Sequence, residues 1–194
     1  MDADFSIELG HEDPVLDFPW TDPEGKVAYF DLKRRPELVE KVEETQRFPE
    51  LAEFLRAVNS ARSAFESAKC DVWETCELSA EEEIFNASCK LASYVDLVFS
   101  DAARRKDFSV HERFAAELAR LLQRAPQSAA ATEISVRRLF FAAEGETREG
   151  FYFTIYTSGY GGDEAIARRN WGIAMKLTEN AIAQLSLSTL AAGL

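Results

Sequence analysis

The last third of the chain constrains the fold more than any other part. Two stretches of alternating apolar and polar residues, 133–143 and 150–158, flank a turn over Glu144 and Gly145. Alternation with period two around a glycine turn is typical of an antiparallel β-hairpin. One face of the second strand carries Phe151, Phe153 and Ile155. A long amphipathic helix follows, so we predict an α+β fold in which an antiparallel sheet carries helices and this face contacts them.

The rest of the chain alternates strand and helix patterns. Residues 10–26 contain three Asp-Pro or Phe-Pro pairs and predict a loop without regular structure. Pro49 opens a helix with apolar residues at three-and-four spacing, and Ser109 with Glu112 resembles a capping box. The predicted elements are strands at 4–9 and 27–32, helices near 36–42 and 49–66, strands at 69–76 and 93–100, and a helix that ends before Pro126.

Residues 79–91 fit two structures. Ser79 and Glu82 have capping-box spacing, which favours a helix, while 82–86 also fits a strand. The chain length suits one domain. We therefore predict a single α+β domain over 36–194, with N-terminal strands and a proline-rich acidic loop, residues 1–35, packed on it.

From residue 49 onward, the predicted order is helix, strands, helix, hairpin, helix. If part of 79–91 is strand, this order resembles the type III secretion chaperone-like fold over about residues 49–187. The resemblance rests on element order, without a sequence motif, so no functional residue is carried over, and residues 1–48 have no counterpart. It implies a small, acidic, dimeric protein that binds other proteins.

The charge of the chain argues against two classes of partner. A net charge of −12 repels phosphate backbones and anionic headgroups, which disfavours nucleic acid and membrane surfaces. The acidic N-terminus lacks a signal-peptide pattern, and the longest uncharged run, 180–194, is shorter than the roughly 20 apolar residues of a membrane helix. Three irregularly spaced cysteines suit a reducing compartment. These features predict a cytoplasmic protein.

A glycine loop, Ser158 to Gly162, stands between the hairpin and the last helix. Such a loop before a helix can bind a phosphate through backbone amides. Here Asp163 and Glu164 occupy the anion position and complement the helix dipole themselves. We therefore interpret the loop as a β-to-α connector.

Two sets of potential metal ligands lack the spacing of known sites. His11 and the acids up to Glu24 have no EF-hand or zinc-protease pattern. The second set consists of Cys70, Cys76, Cys89 and His111. Zinc ligands normally occur in closely spaced pairs, and these four residues do not. We expect the cysteines to be buried thiols and the histidine to be exposed. We expect no metal and no cofactor.

Large apolar side chains mark possible contact surfaces. Phe18 and Trp20 lie in the proline-rich loop, where rings attach the loop to the core or to a partner. Trp171 and Met175 lie on an apolar arc of about 200° on the last helix, whereas packing on one sheet face needs only about 100°. The 49–66 helix, the Phe18–Trp20 loop or a second copy of the chain would cover the remainder. Because symmetric dimers are common, we favour a homodimer.

These observations favour a non-enzymatic protein-interaction domain, chaperone-like or adaptor-like. The alternative is a small-molecule or metal-dependent enzyme whose site combines scattered acids with the 157–163 loop. A concave site that gathers polar side chains would favour this alternative.

Overall fold

The computed structural model describes residues 1–22, 24–25, 28–78, 84–143 and 145–191, and side chains up to residue 186. It has an α+β fold. The strands are β1 (Asp2–Glu8), β2 (Val15–Phe18), β3 (Phe65–Thr75), β4 (Cys89–Phe99), β5 (Ala130–Ala143) and β6 (Glu146–Gly161). The helices are a 3-10 helix (Pro36–Lys41), α1 (Glu43–Arg47), α2 (Pro49–Val58), α3 (Ala102–Lys106), α4 (Phe108–Leu122) and α5 (Glu164–Ala191).

The six strands form one mixed sheet in the order β1-β5-β6-β4-β3, with β2 also paired to β5. The predicted hairpin is confirmed, because β5 and β6 pair antiparallel and Ile134 lies opposite Ile155. Strands β3 to β6 pair antiparallel as predicted, whereas β1 and β2 run parallel to β5. The N-terminal segment thus enters the sheet itself, because its strands hydrogen-bond to β5.

One face of the sheet packs against α2, α4 and α5. Phe153 and Ile155 are buried on this face and Phe151 is partly buried, as the alternation predicted. Phe153 lies in a cluster of aromatic rings with Phe65, Phe99 and Phe114. Burial of these rings makes this face the main hydrophobic core.

Several local predictions are corrected. Of the strand predicted at 27–32, residue 27 lies outside the described residues and 28–32 form no strand. The loop predicted over 10–26 contains β2. Residues 79–91 fitted either a helix or a strand. Of these, 79–83 lie outside the described residues, 84–88 form no strand or helix, and β4 begins at Cys89. Among the described residues, β3 and β4 are therefore the strands between α2 and α3. The helix predicted after residue 107 is present, but its cap is Asp107, whose carboxylate accepts from the Ser109 and Val110 amides.

The glycines before α5 allow the helix to lie directly on the sheet. Gly159 and Gly161 belong to β6, not to a loop. A Cβ atom added to Gly159 would lie 2.1 Å from the Trp171 amide nitrogen and 2.3 Å from the Ala167 carbonyl oxygen. Asp163 caps α5 through the Ile166 amide at 2.8 Å. The predicted Asp163 cap is confirmed, but residues 158–161 of the predicted connector loop are the end of β6.

Candidate functional site

A polar cavity lies beside a β-bulge in β3. Ser67 pairs with Leu97 and Cys70 with Val95, so β3 has one more residue than β4 between these pairs. Bulges of this kind change the direction of side chains at functional sites. Here the bulge brings Lys69 to the sheet face opposite the helices, where it lines a cavity together with Asp96.

This polar cavity has a volume of about 180 Å³. Strands β4, β5 and β6 supply its floor, and the segment 14–16 forms one side. Asp96 and Thr154 are neighbours across the β4–β6 pairing, which places their side chains on the same face. The lining residues are Pro14, Val15, Leu16, Lys69, Tyr94, Asp96, Arg137, Tyr152, Thr154 and Tyr156.

Arg137 is held rigidly in the wall of the polar cavity. Its Nε donates to Glu8 Oε2 at 2.7 Å, and its Nη1 donates to Thr154 Oγ1 at 3.0 Å and to the Tyr156 hydroxyl at 3.1 Å. Burial alone would raise the pKa of Glu8, but hydrogen bonds from Arg137, Ser135 and Ser6 outweigh it and lower the pKa. Because Glu8 neutralises the guanidinium, Arg137 orients hydrogen bonds in the wall rather than supplying a free charge.

Asp96 is a buried carboxylate with one hydrogen-bond donor among the described residues. It is 5% exposed, and its Oδ1 accepts from Thr154 Oγ1 at 2.7 Å. Burial raises its pKa to about 6, against the opposing effects of the Thr154 hydrogen bond and the nearby charges of Lys69 and Arg137. A buried acid with a pKa near neutrality is typical of binding and catalytic sites.

Lys69 supplies a cation without an acceptor. In the part of the chain that the structure describes, its Nζ makes no hydrogen bond and no ion pair, although it lies 4.6 Å from the centre of the Trp20 ring. Burial lowers its pKa, while the charges of Asp96 and Asp17 partly oppose this shift. The cavity therefore contains an ammonium and a carboxylate of opposite charge that do not bind each other.

A second cavity, of about 550 Å³, adjoins the polar one because Lys69 and Tyr94 line both. It lies between β3, the 28–32 segment and the 41–44 turn. Its apolar lining consists of Trp20, Ala28, Phe30, Leu32, Val42, Leu55, Ala68 and Cys70. Burial raises the pKa of the Cys70 thiol to about 12, so this thiol is a poor nucleophile. The apolar cavity is a volume for binding rather than for covalent chemistry.

Two residues predicted to contact a partner are core residues instead. Trp171 is fully buried, with its Nε1 donating to Ser93 Oγ at 2.9 Å, and Met175 is 2% exposed. The second half of the helix stripe is covered by α2 of the same chain. Phe48, directly before α2, contacts the Trp171 ring edge-to-face at 5.6 Å. Neither side chain is available to a partner in this conformation.

The two rings of the proline-rich loop differ in their surroundings. Phe18 is buried against Tyr29 and under the Arg105 guanidinium, which also donates to the Phe99 carbonyl and to Glu66. Phe18 thus attaches the loop to the sheet. Trp20 is half-buried and lines the apolar cavity. Of the four residues predicted to contact a partner, Trp20 is the one that belongs to the site.

The predicted cysteine and histidine environments are partly wrong. Cys76 and Cys89 form a disulfide, so they are not free thiols, and Cys70 stays free. His111 is fully buried rather than exposed, because the Asp107 cap sets the helix phase so that residues 111, 114 and 118 face the core. Burial among aromatic rings lowers its pKa to about 4. Within the described residues, no three metal-ligating side chains lie close enough to hold an ion.

Sequence reasoning did not identify Lys69, Asp96 or Arg137. A signal exists for two of them, because Asp96 stands between Val95 and Leu97 and Arg137 follows Val136 within strongly apolar strands. A charge inside such a strand costs free energy unless it is paired or functional. No comparable signal exists for Lys69, whose direction depends on the bulge.

Among the described residues, no helix has the length and apolar character needed to cross a membrane. Comparison of the chain with known protein families, with curated proteins and with solved structures finds no match.

Proposed function

We propose that this protein binds a small organic molecule that carries both an anionic and a cationic group, such as an amino acid. The observation that carries the proposal is the unpaired juxtaposition of Lys69 and Asp96 in one cavity. A ligand of this class presents a carboxylate to the ammonium and an ammonium to the carboxylate. It would compensate the buried Asp96 carboxylate and the half-buried Lys69 ammonium at once, which neither a simple acid nor a simple amine achieves.

The walls of the polar cavity favour such a ligand further. Tyr94, Tyr152 and Tyr156 line the cavity with aromatic rings and hydroxyls, of which the Tyr156 ring and hydroxyl also contact Arg137. Arg137 is fixed by Glu8, so the hydrogen-bonding geometry is formed before a ligand arrives. Preorganisation of this kind reduces the entropic cost of binding.

Three related probes, which differ in the charged groups that they carry, test the proposal. Alanine carries both charges, propionate lacks the ammonium, and ethylamine lacks the carboxylate. We expect alanine to bind at least about tenfold more tightly than either, because each additional charged hydrogen bond contributes about 1.5–3 kcal/mol. Titration at millimolar concentration, followed by NMR shifts of the Lys69 and Asp96 amides, measures this difference.

Matched variants identify the charges responsible. Lys69→Met should remove the advantage of alanine over ethylamine, and Asp96→Asn should remove its advantage over propionate. Lys106→Met, at an exposed position on α3, is the control and should change neither. Equal affinity of the three probes for the parent protein, or shifts located away from both cavities, would refute the proposal.

Protein interaction is the second candidate, and one observation favours it. Ile166 and Ile173 lie two turns apart on α5 and are 38% and 45% exposed. Exposed isoleucines on one side of a helix fit a contact with a second copy of the chain. The homodimer therefore stays a proposal, with these two residues in place of Trp171 and Met175. Cytoplasmic location likewise stays a prediction.

A further inference from the structure

We infer that the ligand is an amino acid, or a close analogue, with a long uncharged apolar side chain that occupies the cavity between β3 and the 28–32 segment. This inference rests on the proposed function of the polar cavity. It adds the class of side chain, which the polar groups alone do not specify.

The adjacency of the two cavities carries the inference. Lys69 and Tyr94 line both, so a ligand whose charged end lies against Lys69 has the apolar cavity directly beside it. The volume of about 550 Å³ lies within the range of small-molecule sites. Trp20 and Phe30 supply large apolar walls, and Leu55 closes the inner side. Apolar atoms placed there leave water, which favours binding.

The charges at the rim exclude a second carboxylate. Glu43 and Asp71 are exposed where they line the cavity, and Glu44 beside them is half-buried, with a pKa raised by burial. Lys41 is also exposed on this rim, so three acids face one rim lysine. An acidic side chain would meet net repulsion. Acidic amino acids are therefore outside the expected class.

A homologous series measures the contribution of the apolar cavity. Glycine, alanine, 2-aminobutyrate, norvaline and norleucine add one methylene at a time, and titration calorimetry or NMR gives their affinities. We expect an increase of about fourfold per methylene, the value for transfer of a methylene out of water. Glutamate should bind more weakly than norvaline. Affinity independent of chain length would overturn the inference.

Lysine and norleucine form a second comparison, because lysine is norleucine with a terminal ammonium. We expect norleucine to bind more tightly, since the inner walls are apolar. Tighter binding of lysine would overturn the apolar class and assign the rim acids to a cationic side chain.

Ala28→Trp narrows the apolar cavity from its exposed side and should reduce the affinity for norleucine relative to that for alanine about tenfold or more. Val42→Trp tests the cavity from another wall if the first variant fails to fold. Ala103→Trp, on the exposed surface of α3, is the control. Unchanged norleucine affinity in folded variants of both cavity positions would overturn the inference.

The two proposals fail in different ways. If alanine binds through Lys69 and Asp96 but chain length has no effect, the proposed function holds and the apolar inference is wrong. If chain length matters equally for amino acids and for uncharged alcohols, and Lys69→Met has no effect, the cavity binds apolar groups but the proposed function is wrong.

Discussion

Lys69 and Asp96 lie in the wall of one cavity, and the Lys69 ammonium makes no ion pair with the Asp96 carboxylate. Burial shifts both groups toward their neutral forms, since it lowers the pKa of Lys69 and raises that of Asp96 to about 6. A direct ion pair would shift both pKa values in the opposite direction. The attraction between the two charges opposes these shifts without reversing them, which agrees with nearby groups that form no direct ion pair.

The first prediction concerns the pH dependence of stability caused by Asp96. Its pKa is about 6 in the folded protein and near 3.9 when unfolded, so between these values the folded state retains the proton more strongly. The contribution of Asp96 to the free energy of unfolding should therefore fall as pH rises from about 4 to about 6, by about 3 kcal/mol at most, and then stay constant.

Asp96→Asn isolates this contribution from that of the other acids. The difference in unfolding free energy between the variant and the parent protein should move in favour of the variant between pH 4 and pH 7. Urea denaturation at several pH values provides the measurement. A difference independent of pH would show that Asp96 titrates normally.

The second prediction concerns the contact between β6 and α5. Gly159→Ala places a methyl group against the backbone of α5, which cannot move without separation of the helix from the sheet. We expect a loss of about 3 kcal/mol or more in unfolding free energy. Gly162→Ala is the matched control, because an added Cβ meets no atom within 4 Å. Equal unfolding midpoints for the two variants would contradict the close contact.

The third prediction concerns the disulfide. Cys76 and Cys89 are 13 residues apart, and closing a loop of this length stabilises a protein by about 3 kcal/mol in the chain-entropy description. Reduction should lower the free energy of unfolding by about this amount. Alkylation in denaturant should label one cysteine without reductant and three with it. Labelling of three cysteines without reductant would instead support the predicted cytoplasmic location, where such pairs stay reduced.

The fourth prediction concerns self-association. If α5 forms the dimer contact, Ile173→Glu should convert the dimer to a monomer while the circular dichroism spectrum stays unchanged, because this side chain is 45% exposed. Trp171→Glu should instead unfold the protein, because that ring is fully buried. Light scattering at micromolar concentration gives the mass. A mass near 22 kDa for the parent protein would reject the dimer.

Local patterns were sufficient for much of the fold. The alternation of Phe151, Phe153 and Ile155 predicted both the hairpin and its buried face, because side-chain direction in a strand depends only on the neighbouring residues. The same reasoning failed for β1 and β2 as partners of β5. Strand pairing across more than a hundred residues leaves no local pattern.

The sequence by itself determined the fold class, the hairpin and most helices, because hydrophobic periodicity and helix caps act over a few residues. The tertiary structure decided which residues form the site. Lys69, Asp96 and Arg137 come from three different strands, and a bulge together with two strand registers brings them to one cavity.

The tertiary structure also placed Trp171 in the core, because α2 of the same chain covers an apolar stripe of α5 that an isolated helix would leave exposed. Such proximity results from packing between distant segments, which no single segment encodes.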